Sequence, residues 1–407
     1  MSDPTADFRL GIVSCLAAAR DAQGRLLCNH SIGRLIDMLR ERVPGARLCI
    51  PILPEPQSNM KHVLTFPPED VVDLPPLRSV IRSQPYYFQT SRIIRDFART
   101  VDVLFIRVPF QIPTALRGLR TPKLLHVAGN PYQVIAASSD YRGLMKQLAL
   151  RFAAHSNATL RRLAAEPLTR VASNGSEMWD VMRCREGRVV VSSCIYEREM
   201  QPREDLSLND PPRLLFVGYL RPEKGIHNLL DAFEALRRKR PLKLTLVGGT
   251  DKRTNAESSA QERIRNSPFR DDITLTGMLE FGEPIFQLYR SHDVFVLPSL
   301  SEGTPRTLVE ARSFGCPVVA TRAGGIPSSV VDGETGLLVE PNDSTGLAAA
   351  IERILTDEPL RRKLIEGGLR GSSEQSLEYF AGQLVDELKI LAQQSKRSGG
   401  YERAGAG

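Results

Sequence analysis

Val294 to Asp343 reads V-F-V-L-P-S-L-S-E-G-T-P-R-T-L-V-E-A-R-S-F-G-C-P-V-V-A-T-R-A-G-G-I-P-S-S-V-V-D-G-E-T-G-L-L-V-E-P-N-D. Val294 to Pro298 is a short apolar run of the kind that forms a buried strand. A loop follows, Ser299 to Thr304. A helix comes next, with Thr304 placed to cap it and Pro305 as its first residue. Glu302 lies in the loop, and Glu310 lies eight positions later in the helix. If Pro305 starts the helix, Glu310 shares a face with Arg306 and Thr307, while Leu308 and Ala311 turn toward the core. A strand that turns tightly into a helix N-terminus suits an anion, because unpaired amides point at it. Two carboxylates at such a turn suggest a ligand carrying both phosphate and hydroxyl groups.

Strand and helix signals alternate outward from this stretch in both directions. Toward the C-terminus, Cys316 to Thr321 and Gly336 to Val339 read as strands. Ser344 to Leu355, Glu358 to Leu369 and Leu377 to Gln393 read as helices. Toward the N-terminus, Arg213 to Gly218, Leu242 to Val247 and Ile273 to Gly277 read as strands. Gly225 to Arg238 is a helix with Leu229, Leu230, Phe233 and Leu236 facing inward. Residues 196–212 are polar and Pro-containing and read as a linker. The first half repeats the alternation. Arg9 to Cys15, Arg47 to Leu53, Val101 to Val108, Lys123 to Val127 and Leu168 to Ala172 are strands. A polar loop reaches Asn29, and a Pro-rich irregular stretch follows Leu53. The expected architecture is α/β, with two facing Rossmann-like, doubly wound domains and a cleft between them. The domains are residues 1–195 and 213–375. A helix over 376–396 packs back toward the first domain, and a disordered tail covers 397–407.

Composition agrees with two cores. The chain has 407 residues, 42% of them apolar, too many for one ordinary domain. Six cysteines are scattered with no C-x-x-C pair, which argues against a zinc cluster and fits a reducing cytoplasm. No run approaches the length of a membrane span. The net charge of +7 is uneven: residues 1–195 hold 26 Lys/Arg against 16 Asp/Glu, and the remainder 28 against 31. Three readings compete for this basic half: an anionic acceptor or membrane surface, nucleic acid, or plain solvated charge. No recognition motif or aromatic–basic interleaving supports nucleic acid, and none is expected as a partner.

Two further segments join the opening stretch at strand ends. In Gly218 to Gly225 (G-Y-L-R-P-E-K-G), Arg221 and Lys224 flank a helix start, where cations can neutralise a diphosphate. Gly277-Met278-Leu279 ends a strand, with backbone groups available to a nucleobase edge. No G-x-G-x-x-G joins the first strand to its helix, which argues against a dehydrogenase.

These segments together resemble the retaining, nucleotide-sugar-dependent glycosyltransferases of group 1, the glycogen-synthase-like family with the GT-B fold. The matching text is G-x-x-x-P-E-K-G at Gly218 to Gly225 and P-S-x-x-E-G-x-x-x-x-x-x-E-A at Pro298 to Ala311. It continues with G-x-P-V-V-A-T-x-x-G-G-I-P at Gly315 to Pro327 and D-G-x-T-G-L-L-V at Asp332 to Val339. The resemblance implies a metal-independent sugar transfer with retention, from a UDP- or GDP-linked donor to a glycan or lipid-linked acceptor, with no other cofactor. It implies that Glu302 approaches the donor sugar and Glu310 contacts the ribose. Lys224 would bind the diphosphate, Met278 would lie at the base, and Gly303, Thr304, Pro305, Arg306 and Thr307 would cradle sugar and phosphate. His126, ending the K-L-L-H-V strand, is the candidate for a family histidine near the donor sugar. Acceptor choice would fall to the basic first half, peripheral to the inner membrane face.

Two departures stand out. The family's Arg after the first-loop Gly is Tyr219 here, with Arg221 the candidate substitute. The Glu that often follows G-G-I-P is Ser328. These departures motivate an alternative, a non-catalytic descendant that binds a nucleotide sugar or a partner protein.

Overall fold

Short apolar runs become the central parallel strands of the computed structural model, which describes residues 7–77, 83–109, 113–137, 143–249, 259–371 and 373–397. Of the tail expected over 397–407, Arg397 closes the last helix and residues 398–407 lie outside the described residues. The chain divides into two units. Unit 1 is Met1–Pro131, Arg151–Cys194 and Leu377–Gly407; unit 2 is Tyr132–Leu150 and Ile195–Ser376.

The elements up to residue 190 run β1 (Leu10–Val13), β2 (Ala18–Arg20), β3 (Leu26–Asn29), α1 (His30–Arg42), β4 (Arg47–Leu53), β5 (Met60–Val63) and β6 (Val71–Leu74). Next come α2 (Tyr87–Ala98), β7 (Val103–Val108), β8 (Lys123–Val127), α3 (Pro131–Ala137), α4 (Gly143–Ala164), β9 (Thr169–Asn174), α5 (Ser176–Met182) and β10 (Gly187–Val190). Strands β6-β4-β1-β7-β8-β9-β10 pair in parallel in that order. The chain builds outward from β1 to β6, then crosses to β7, so its winding reverses between β1 and β7. Two expectations are corrected here. The loop expected after the first strand is an antiparallel hairpin, β2 with β3. Asp21 accepts from the amides of Gln23 and Arg25, and Gly24 turns the chain at φ 78°. The Pro-rich stretch also contains β5, which pairs with β3. Its Met60–Val63 core is free of proline and can therefore donate to a ladder.

Unit 2 contains β11 (Arg213–Val217), α6 (Ile226–Arg237), β12 (Lys243–Val247), α7 (Ser259–Arg265), β13 (Ile273–Gly277) and α8 (Glu283–Ser291). These are followed by β14 (Val294–Leu297), α9 (Arg306–Ser313), β15 (Val318–Thr321), β16 (Leu337–Val339), α10 (Ser344–Thr356) and α11 (Glu358–Arg370). Its described strands form one parallel sheet in the order β13-β12-β11-β14-β15-β16. Counted within the unit this is 3-2-1-4-5-6, the doubly wound order whose ligands bind outside the strand C-termini where the winding reverses. That switch point lies between β11 and β14. Leu229, Leu230, Phe233 and Leu236 of α6 are all buried in the unit's core.

The stretch read as a linker is built into unit 2. Arg203 donates to the carbonyl of His292 at 3.0 Å, and Asn209 donates to Asp293 at 3.0 Å. Asp293, buried at 1% exposure, also accepts from the Arg213 amide that opens β11. A buried carboxylate needs such donors. The final helix, α12 (Leu377–Arg397), lies in unit 1. Its Glu387 meets Arg170 of β9 and Arg188 of β10.

Candidate active site

β11 and β14 are hydrogen-bonded neighbours running in parallel, so the loops leaving their C-terminal ends must meet. The loop after β11 makes a tight turn at Pro222–Lys224 and enters α6 through Gly225, whose φ is 67°. A Cβ on Gly225 would stand 1.9 Å from the carbonyl oxygen of Pro298, the residue that follows β14. Glycine is therefore required twice over, by backbone conformation and by the approach of the second loop. The amide of Leu300 donates to the carbonyl of Glu223 at 2.8 Å and ties the two loops together.

Side chains complete the join. Lys224 Nζ forms an ion pair with Glu302 Oε1, and Ser299 Oγ donates to the same oxygen at 2.9 Å. Ser299 is fully buried, and its carbonyl accepts from Thr321 Oγ1 at the end of β15. The next loop joins as well: Gly325 N donates to the Gly303 carbonyl at 3.1 Å. A Cβ at Gly325 would lie 2.7 Å from that oxygen and 2.8 Å from Thr304 Oγ1. Three strand ends thus converge on Glu302, whose side chain is 10% exposed, beside Lys224 at 23%.

The helix after Glu302 begins at Arg306. Pro305 is the residue preceding it, and no side chain caps the helix, so Thr304 does not have the expected capping role. Thr304 is buried, while Gly303, Pro305, Arg306 and Thr307 are half-buried around the turn. Glu310 was expected on a face with Arg306 and Thr307. The structure buries it to 5% exposure and makes its Oε2 accept from Tyr289 Oη at 2.9 Å. Arg221 lies over the Tyr219 ring at 4.8 Å and pairs with Glu223 at 3.8 Å within its own loop. Met278, 60% exposed, follows β13 beside Gly249. Three strand spacings separate β13 from β14, about 14 Å, comparable to the length of a nucleoside diphosphate laid across the strand ends.

His126 requires a correction. It lies in unit 1 with no exposure, its ring 5.8 Å from Phe105 and 5.4 Å from Phe380 of α12. Burial, reinforced by the Arg107 cation beside its Nδ1, holds its pKa well below the ordinary value. All five residues of β8 are buried, so this histidine is enclosed core rather than a group that can touch a substrate. Sequence reasoning passed over Ser299, although it stands inside the quoted P-S-x-x-E text three residues before Glu302. It also passed over Tyr289, which no local pattern connects to Glu310.

Residues 197–370 match the family described as Glycosyl transferases group 1. The matched segment contains the whole Lys224–Glu302–Glu310 constellation. Among curated proteins, the chain is similar to the capsular polysaccharide biosynthesis glycosyltransferase CapM of Staphylococcus aureus. The two are 31% identical over 186 residues, which is 45% of this chain and 46% of that one. The chain spans from about a third to somewhat over half of the length of the curated relatives it matches, 34% to 57%. In fold, it is similar to sucrose-phosphate synthase from Thermosynechococcus elongatus: TM-score 0.70 at 19% identity, covering 96% of this chain and 99% of that one. HepE of Anabaena, solved in a complex with UDP, gives a TM-score of 0.65 at 16% identity, covering 94% and 100%. The fold of the chain is GT-B, as in these solved structures. Among the described residues no helix is long and apolar enough to cross a membrane.

Proposed function

We propose that this chain is a retaining glycosyltransferase that moves a sugar from a UDP- or GDP-linked donor to a glycan or lipid-linked acceptor at the inner membrane face. The observation that carries the proposal is the pairing of Lys224 with Glu302 at the switch point of the unit 2 sheet. A cation at a helix-start loop stabilises the diphosphate as it departs with increasing negative charge. Glu302 is placed beside that cation, where the donor sugar follows the diphosphate. The α9 turn, Gly303 to Thr307, offers helix-start amides to the sugar and phosphate, and Glu310 is assigned to the ribose. Sugar and acceptor meet on one face, the leaving diphosphate accepting the acceptor proton. Lys224 fills the charge-neutralising role, so no metal is assigned. Acceptor recognition is assigned to unit 1. The basic excess of residues 1–195 supports an anionic acceptor or lipid surface there.

The deciding experiment incubates purified protein with labelled UDP- and GDP-sugars, with and without EDTA. Slow donor hydrolysis or transfer is expected, insensitive to EDTA and lost in Glu302→Ala, with product anomers matching the donor. An absence of binding and turnover with every donor would overturn the proposal. Binding without turnover, even with acceptors supplied, would favour a non-catalytic descendant.

A further inference from the structure

Glu310 is a buried carboxylate on a short helix, and Tyr289, which donates to it, comes from a different element. Tyr289 sits on α8, 21 residues earlier, with no exposure. Its ring stacks on Phe314 at 5.9 Å with an interplanar angle of 6°, and meets the edge of Phe295 at 5.6 Å. Phe295 belongs to β14 and Phe314 follows α9, so the two elements flanking the donor loop hold this ring. Fixed in this way, the ring brings Oη to 2.9 Å from Glu310 Oε2. A buried tyrosine hydroxyl needs an acceptor and a buried carboxylate needs a donor, and each meets the other's requirement.

We infer that Tyr289 is a positioning residue for the donor. By holding one oxygen of Glu310, it sets the carboxylate rotamer that receives the ribose hydroxyls of the nucleoside diphosphate. This rests on the donor-binding reading given above. Binding energy at a ribose hydroxyl depends on an acceptor already in place, since a carboxylate free to rotate loses that preorganisation.

The test measures affinity by calorimetry for UDP and GDP and for their 2′,3′-dideoxy counterparts, which lack the ribose hydroxyls. In wild type, the preferred diphosphate is expected to bind on the order of tenfold tighter than its dideoxy form. Tyr289→Phe keeps the ring and removes the hydroxyl. It is expected to lose most of that discrimination while binding the dideoxy form as wild type does. Glu310→Gln serves as a second variant, and the double variant is expected to lose no more than Glu310→Gln alone. If Tyr289→Phe lowers the melting temperature but leaves the discrimination intact, Tyr289 is only a packing residue and the inference falls. If wild type binds neither diphosphate, the donor-binding reading falls and takes this inference with it. Loss of affinity for both forms equally also overturns it.

Discussion

Lys224 and Glu302 come from loops 78 residues apart and meet in an ion pair at the boundary between β11 and β14. Both are mostly but not wholly covered, so each is positioned by protein and reachable by solvent. Removing either should cost transfer rather than folding. Glu302→Ala and Lys224→Ala are each expected to lower kcat/KM by about 10²–10³, the range seen when one electrostatic stabiliser is lost. The double variant should fall well short of the product of the two losses, since the proposed function has both groups acting on one leaving diphosphate. Steady-state kinetics with a saturating acceptor measure this. Equal, fully multiplicative losses would mean that the pair does not work as a unit.

Gly225 predicts a different kind of defect. Its φ of 67° already disfavours a side chain, and the Pro298 carbonyl 1.9 Å from the Cβ position cannot yield without moving β14. Gly333, also in unit 2, has φ 73° but nothing within 4 Å of its Cβ position. Gly333→Ala should therefore cost only the conformational strain, about 1 kcal/mol. Gly225→Ala should cost on the order of 3 kcal/mol or more and weaken donor binding, because it separates Lys224 from Glu302. Denaturant melts of the two variants side by side test this. Equal destabilisation would mean that the Pro298 approach relaxes freely.

The comparison of sequence with structure depends on how each element is packed. Strands β11, β12 and β14 are largely apolar runs followed by Gly or Pro, and the doubly wound alternation follows from them directly. The β2–β3 hairpin was not legible because its strands are three and four residues long, too short to show a period. The orientation of Glu310 was not legible for another reason. Leu308, Val309, Glu310, Ala311, Arg312 and Ser313 are all buried, so α9 has no solvent face across most of its length. Spacing on a helical wheel separates faces only where one of them meets water. Glu302 was legible because its motif is local, whereas Tyr289 reaches Glu310 through tertiary packing alone.

Glu387 of α12 is 1% exposed and accepts from two arginines, Arg170 and Arg188 at 2.7 Å for the latter. Both arginine side chains retain some exposure, at 15% and 32%, so each can rehydrate if its partner is lost. The carboxylate cannot. Truncating both arginines to alanine should therefore be the more damaging change, on the order of 3–5 kcal/mol, because it strands a buried charge. Glu387→Gln should cost less, and Glu387→Met, which removes the charge and keeps the volume, least. Equilibrium unfolding of unit 1, followed by a probe placed on α12, gives the order. If Glu387→Met proves the worst of the three, the ion pairs contribute more than their desolvation costs.

His126 makes stability depend on pH with a defined sign. Its imidazole is enclosed by Phe105 and Phe380 and sits beside the Arg107 cation, so burial first and the neighbouring charge second keep it neutral in the folded chain. In the unfolded chain it takes up a proton near the ordinary value of about 6.5. Below that pH the unfolded state binds one more proton than the folded state, so stability rises with pH across this window. The contribution is therefore complete above about pH 6.5. It is lost as pH falls from there toward the depressed folded value, with a slope of at most about 1.4 kcal/mol per pH unit. His292 in unit 2 is lowered in the same direction by burial and is left unchanged in the comparison. His126→Gln cannot titrate. It should lower stability at neutral pH and flatten the unit 1 stability profile between pH 5 and 6.5 relative to wild type. Chemical denaturation at half-unit pH steps reads the difference in slope. Parallel profiles would show that His126 is protonated in the folded chain, and that the enclosure around it admits water.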